Sequence, residues 1–229
     1  MHDLRWTIPV ARWSSWPAGA TATPDIGFVE PLMRRRLSAL SKMALKVAHD
    51  CAADREAVRL VFGSRHGELR RTTGIIADIA ASEPVSPTAF SLSVLNAMAG
   101  VYSIARRDTS PATAMSAGAE TLGYALLEAY AQWSADASTP VLVVYADEPA
   151  DARFGPVDHE ATTGALAILL DRGAQAQLDC STGLALDASP VPEFPTQRDA
   201  VVHGLTAHAP TAWQGAGRRW GWSLREAGA

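Results

Sequence analysis

Two runs in this sequence leave little freedom of fold. Pro140-Val141-Leu142-Val143-Val144-Tyr145-Ala146 and Gly164-Ala165-Leu166-Ala167-Ile168-Leu169-Leu170 are apolar almost throughout. A strand with one face in water alternates apolar and polar residues, so a strand without that alternation is covered on both faces. The rest of the sequence supplies the covering layers. Leu37, Leu40, Met43, Ala44 and Val47 recur at spacings of three and four, which predicts a helix over about 32–50. Leu122, Leu126, Leu127 and Tyr130 predict another over 118–133, and Ile75, Ile76 and Ile79 a third over Leu69 to Ala80. Ser86-Pro87-Thr88 opens a fourth, because proline suits a first helical turn, and Phe90, Val94, Met98 and Val101 form its expected buried stripe. Val58 to Phe62 reads as a short buried strand ended by Gly63-Ser64. Residues 4–10 read as a strand with Trp6 and Ile8 on one face and Thr7 on the other, before a loop with Trp13, Trp16 and Pro17.

Helices between apolar strands give a layered α/β fold with a mixed sheet, in which 140–146 and 164–170 are interior strands flanked by helices 32–50 and 118–133. The chain reads as one domain over 1–229 with its core at about 25–175. The tail from about 187 to 229, with Pro190, Pro192, Pro195 and Pro210, is expected to be irregular and anchored by Trp213, Trp220 and Trp222.

Composition narrows the functional classes. Twenty Lys and Arg against twenty-four Asp and Glu give a net charge of −4, which offers no general attraction for nucleic acid or an anionic membrane. Arginines cluster only locally, at 34–36, 70–71 and 218–219. Two distant cysteines, Cys51 and Cys180, suit a reducing compartment and read as inert. No apolar run approaches the ~20 residues of a spanning helix, and Met1 to Trp6 lacks a signal-peptide core, so the expected location is the cytoplasm. There is no GxGxxG, Walker loop or zinc-type cysteine cluster, and His66, His159, His203 and His208 are scattered, so no cofactor or metal is expected.

The chemistry turns on Ala112-Thr113-Ala114-Met115-Ser116-Ala117-Gly118-Ala119-Glu120, a short strand running into an elbow of small residues before a helix. Free N–H groups at a helix start lower a thiol pKa, so such an elbow suits a nucleophile. Gly118 stands there instead, and Ser116 is the one nucleophile type nearby. His159-Glu160 reads either as an acid/base pair or as a structural turn.

The run Ser86 to Gly100, the stretch Phe62-Gly63-Ser64 with Gly67-Glu68-Leu69, and the elbow Ser116-Ala117-Gly118-Ala119-Glu120-Thr121 resemble the β-ketoacyl synthases. The resemblance spans about 25–175, the N-terminal half of a thiolase-like condensing enzyme. It implies that Gly118 occupies the position of the nucleophilic cysteine, with Ser116 where a threonine stands. The family's second half carries two histidines that serve decarboxylation and condensation, and the expectation here is a chain without it. More narrowly, the sequence is similar to short ketosynthase-like proteins of bacterial aryl polyene and xanthomonadin-type pigment clusters. That likeness implies a noncatalytic, chain-length-factor-like subunit. Its partner is a full-length β-ketoacyl synthase, and acyl carrier protein is met through that partner.

On this reading Phe90, Val94, Met98, Met115 and Ser116 are candidates for the wall of the acyl tunnel. Asn96 and Gly100 lie either at the subunit seam or at an ordinary close helix contact. The strand Ala112 to Met115 is expected to have a free edge to which Thr113 supplies a donor. Two other readings stay open. One is a stand-alone acyl thioesterase or acyltransferase using Ser116 with a distant histidine such as His159. The other is an interaction subunit with no tunnel role.

Overall fold

Alternate side chains of the two apolar runs feed two separate cores. In the computed structural model, which describes residues 3–17, 19–185, 192–215 and 217–226, the runs are β5 (Val141–Asp147) and β6 (Gly164–Leu170). Leu142, Val144 and Ala146 enter one core with Ala165, Ala167 and Leu169. Val141, Val143 and Tyr145 enter the other with Leu166, Ile168 and Leu170. Every residue of both strands is buried, which is why neither alternates in sequence.

Both strands are interior to a five-stranded mixed sheet ordered β2-β6-β5-β3-β4. Here β2 is Arg12–Trp16, β3 is Arg59–Gly63 and β4 is Ala112–Met115. Strands β4, β3 and β5 run parallel, and β6 and β2 continue antiparallel. The Trp13–Trp16 segment, expected as a loop, is therefore an edge strand. The first core lies between this sheet and the helices α2 (Ala39–Ala52) and α5 (Ala97–Arg106). On the other face lies α6 (Thr121–Ala135), then α7 (Gln197–Ala207), then a second sheet.

The second sheet corrects the expected irregular tail. It is antiparallel, ordered β1-β7-β9-β8, with β1 Leu4–Val10, β7 Ala176–Leu184, β8 Thr211–Gly215 and β9 Arg218–Glu226. Trp220, Trp222 and Leu224 alternate inward along β9 and join Trp6, Ile8 and Trp213 in the second core, so burial extends well beyond 25–175. Residues 186–191, including Pro190, lie outside the described residues. The layers run helix, sheet, helix, sheet.

Two helices differ from the spacing argument. The stretch 32–50 is broken into α1 (Pro31–Arg36) and α2, because Leu37 is extended and the Ser38 hydroxyl caps α2 by accepting the Ser41 N–H at 3.0 Å. The stretch from Ser86 is also two helices, α4 (Pro87–Ser91) and α5. The expected stripe divides with it: Met98 and Val101 are buried, whereas Phe90 is 63% exposed and Val94 46%. The helix α3 (Leu69–Ala80) has the expected bounds, but of its three isoleucines only Ile75 is buried. Among the described residues no helix is long and apolar enough to cross a membrane.

Val143 is 1% exposed on an interior strand. Val143→Asp places an unpaired charge in the second core and is expected to cost at least about 3 kcal/mol. Urea denaturation checks this, and a variant with wild-type unfolding would contradict the two-core arrangement.

Candidate functional site: a helix elbow without a nucleophile, beside an open sheet edge

The parallel strands β3, β4 and β5 end at the same side of the sheet, where ligands of open α/β sheets gather. The elbow lies there. Gly118 has φ +58°, the left-handed region that glycine adopts without strain, and a Cβ built on it meets nothing within 4 Å. Conformation, not crowding, sets the residue type. The Thr121 hydroxyl locks the turn by accepting the Ala117 N–H at 2.9 Å and donating to the Gly118 carbonyl at 2.7 Å. Helix α6 then begins. Its Gly123 N–H donates to the Gln197 side chain at 2.8 Å, and Gly123 leaves room for Trp220, whose ring a Cβ there would meet at 2.5 Å. Trp220 donates to Glu120 at 2.8 Å, so the second sheet supports the elbow from below.

The helix start is thus aimed, with its partial positive charge, at a residue that has only hydrogen to offer. Ser116 does not replace the missing group. Its hydroxyl donates to the Arg65 carbonyl at 2.9 Å, and a carbonyl cannot take the proton that a nucleophilic serine must lose. The Arg65 guanidinium binds the carbonyls of Asp158 and His159. The His159 ring lies edge-on to Trp213 at 5.4 Å between centroids. Sequence reading paired Ser116 with His159, but the hydrogen bonds of both run through Arg65. The Cys51 thiol is pushed up to about 12 by burial, and burial lifts the Cys180 thiol well above its ordinary value, so neither is a thiolate.

Beside the elbow, the loop after β3 is strapped to the end of β5. Asp147 is fully buried and accepts the backbone N–H groups of Arg65 (2.6 Å) and His66 (3.2 Å) and the Tyr145 hydroxyl (3.1 Å). Burial raises its carboxyl pKa, and the two N–H bonds oppose that rise. His66 meets Glu160 at 2.7 Å. For Glu160, burial pushes upward but is outweighed by the His66 bond and the N–H groups of Ala161 and Ala150, so its pKa falls below the ordinary value. His159-Glu160 therefore serves a turn that ties loops together. Among the described residues no three His, Cys, Asp or Glu converge as a metal site.

The remaining candidates divide by position. Met98 is 1% exposed and packs in the first core. Phe90, Val94, Asn96 and Gly100 face outward, and a Cβ on Gly100 meets nothing within 4 Å, so among the described residues no close helix contact explains that glycine. Of nine large exposed apolar side chains among the described residues, five lie between residues 76 and 104: Ile76, Ile79, Phe90, Val94 and Ile104. Helix α4 packs against α3, and α5 reaches β4.

Strand β4 pairs only with β3 among the described residues. Leu60 N–H donates to the Pro111 carbonyl and Ser64 N–H to the Met115 carbonyl. Parallel alternation then turns the Thr113 and Met115 amides toward β3 and those of Ala112 and Ala114 toward the open edge. This corrects the expectation for Thr113, whose donor belongs to the internal ladder. On the opposite face of the sheet, Met115, Ala117, Tyr124, Leu127, Glu128 and Ala131 line a cavity of about 360 Å3 along the same edge. Sequence reading missed Tyr124, Leu127 and Glu128. The available signal was the absence of Lys and Arg from the whole of α6.

Two glycines at the elbow give opposite expectations. Gly118→Ala, in open space but at positive φ, is expected to cost about 1–2 kcal/mol. Gly123→Ala drives a methyl into the Trp220 ring and is expected to cost about 1–3 kcal/mol and to disturb the Trp220–Glu120 bond. Chemical denaturation measures both, and tryptophan fluorescence should change for Gly123→Ala alone.

Comparison with known proteins agrees with this geometry. No curated protein matches the sequence. Among solved structures, a chain of a ketosynthase in complex with its chain length factor from Xenorhabdus doucetiae superposes with a TM-score of 0.78 at 24% identity, over 95% of this chain and 99% of that one. A chain of the ishigamide ketosynthase/chain length factor gives 0.69 at 14% identity, over 97% and 99%. A β-ketoacyl synthase from Burkholderia phymatum gives 0.52 at 16% identity, and there the match covers 76% of this chain but 54% of the other. These likenesses show the fold, which is thiolase-like. The profile of the β-ketoacyl synthase N-terminal domain matches residues 10–223, nearly the whole sequence. The chain belongs to the β-ketoacyl synthase N-terminal domain family.

Proposed function

We propose that this chain is a noncatalytic, chain-length-factor-like subunit that pairs with a complete β-ketoacyl synthase in the cytoplasm and forms part of the wall of its acyl tunnel. The observation that carries the reading is the open edge of β4, which runs straight into an elbow whose helix-start residue is Gly118. A subunit of this kind contributes shape. The partner's cysteine carries the acyl chain, the partner meets acyl carrier protein, and side chains across the seam set where the tunnel ends. Bulk at such a floor excludes further elongation, since overpacking a dense wall costs about 1–3 kcal/mol.

Phe90 and Val94, exposed here, are the wall candidates with apolar bulk to offer, and Asn96 and Gly100 lie on the same outward side. Met115 and Ser116 sit at the end of the seam strand. Met98 supports α5 from inside and reaches the seam only through it. The two complexes matched above over nearly their full chain lengths are both ketosynthase and chain length factor pairs, which supports an aryl polyene-type or related polyketide setting. The serine hydrolase reading is disfavoured by the Ser116–Arg65 hydrogen bond.

Pairing through β4 predicts a heterodimer burying more than about 2,000 Å2 in total. Ala114→Pro removes an N–H that faces the open edge and leaves the ladder to β3 intact, so it should melt like wild type yet fail to pair. Thr113→Pro breaks the internal ladder and should unfold. Size-exclusion chromatography with multi-angle scattering on the co-expressed pair reads all three. A pair that forms undiminished with Ala114→Pro would sink the seam assignment.

The chemistry is tested separately. Incubated with a loaded acyl carrier protein, the isolated chain should acquire no covalent acyl group by intact mass. Gly118→Cys should produce no condensation product, because among the described residues a Cβ at 118 meets no atom within 4 Å, so nothing there would activate the thiol.

A further inference from the structure

The cavity along β4 carries a charge pattern that bears on which partner fits, and the inference rests on the pairing just proposed. Its lining is apolar except for one carboxylate and the Tyr124 hydroxyl. Met115, Ala117, Tyr124, Leu127 and Ala131 form the walls, and half-buried Glu128 stands among them. Glu128 accepts a hydrogen bond from the neutral Gln132 amide at 2.8 Å, and the same amide reaches Thr113 on β4 at 3.5 Å. That chain of contacts places the carboxylate next to the open edge.

Among the described residues no Lys or Arg forms an ion pair with it. The strand β4, the elbow 116–120 and all fifteen residues of α6 contain neither Lys nor Arg. The elbow's other acid, Glu120, is already held by Trp220 and by Arg218 at 3.7 Å. The Arg59 guanidinium is held at the C-terminal end of α6, on the carbonyls of Gln132 in the last turn and of Asp136 and Thr139 just after it.

We infer that Glu128 selects a different subunit over a second copy of this chain, by pairing with a long cationic side chain, arginine or lysine, that the ketosynthase inserts across the seam. Such a side chain suits the cavity along its whole length: its methylene stem lies on Leu127, Ala131 and Met115, and its charged end meets the carboxylate. A second copy joined at the same edge brings another Glu128 and no compensating cation. Like charges across an interface disfavour the wrong partner while opposite charges favour the right one, which is specificity set by repulsion as well as attraction.

The experiment uses the full chain alone and co-expressed with a complete β-ketoacyl synthase from the same organism, with Glu128→Gln and Glu128→Lys as variants. Glu128 is on a half-exposed helix surface, so both should melt as wild type. Glu128→Lys should weaken pairing with the ketosynthase by at least about tenfold in Kd. Glu128→Gln should raise the dimer fraction of the isolated chain in size-exclusion chromatography. Unchanged heterodimer affinity in Glu128→Lys overturns the inference and leaves the pairing reading standing. Failure of the wild-type chain to bind the ketosynthase removes that reading, and the inference with it.

Discussion

The burial of β5 and β6 on both faces is the constraint on which the rest of the structure depends. Each strand sends side chains in two directions, so two cores must be closed, one by α2 and α5 and the other by α6, α7 and the second sheet. The second closure positions the elbow. Trp220 of the outer sheet lies on Gly123 and holds Glu120, so the start of α6 is fixed from the far layer as well as from β4. Removing the second sheet would uncover the apolar underside of α6 and free the turn that ends the seam strand.

The elbow keeps the architecture of a nucleophile site without its chemistry. A left-handed residue, a hydroxyl-locked turn and a helix start converge as they would to present a thiolate. With glycine at the focus, what that geometry still does is fix where β4 ends and how its edge is presented. On the proposed reading a noncatalytic partner needs that placement, since the wall of a neighbour's tunnel is set by where surface groups stand and not by any reactive group of its own.

Much of this was legible in sequence, for identifiable reasons. Unbroken apolar runs announced the interior strands, and three- and four-residue spacings announced α2, α3 and α6. The elbow glycine was legible because its neighbours carry the family pattern. The second sheet is not evident from the prolines of the stretch, although β9 alternates cleanly, with Trp220, Trp222 and Leu224 inward and Arg219, Gly221 and Ser223 outward; Pro192, Pro195 and Pro210 lie in the connections around α7. Spacing places Phe90 and Val94 on a buried stripe because periodicity does not reveal which side of a helix has a partner, and the break at residues 92–96 turns them away from Met98. The direction of the Thr113 amide was beyond sequence altogether, since it follows from strand register.

If another subunit's strand completes the open edge of β4, residue-resolved amide hydrogen exchange will register it. In the isolated chain the Thr113 and Met115 amides, bonded to β3, should exchange slowly, while those of Ala112 and Ala114 exchange fast. On adding the ketosynthase, the account predicts that Ala112 and Ala114 become protected and Thr113 and Met115 change little. Ala112 and Ala114 amides that exchange as fast in the complex as in the free chain would contradict it.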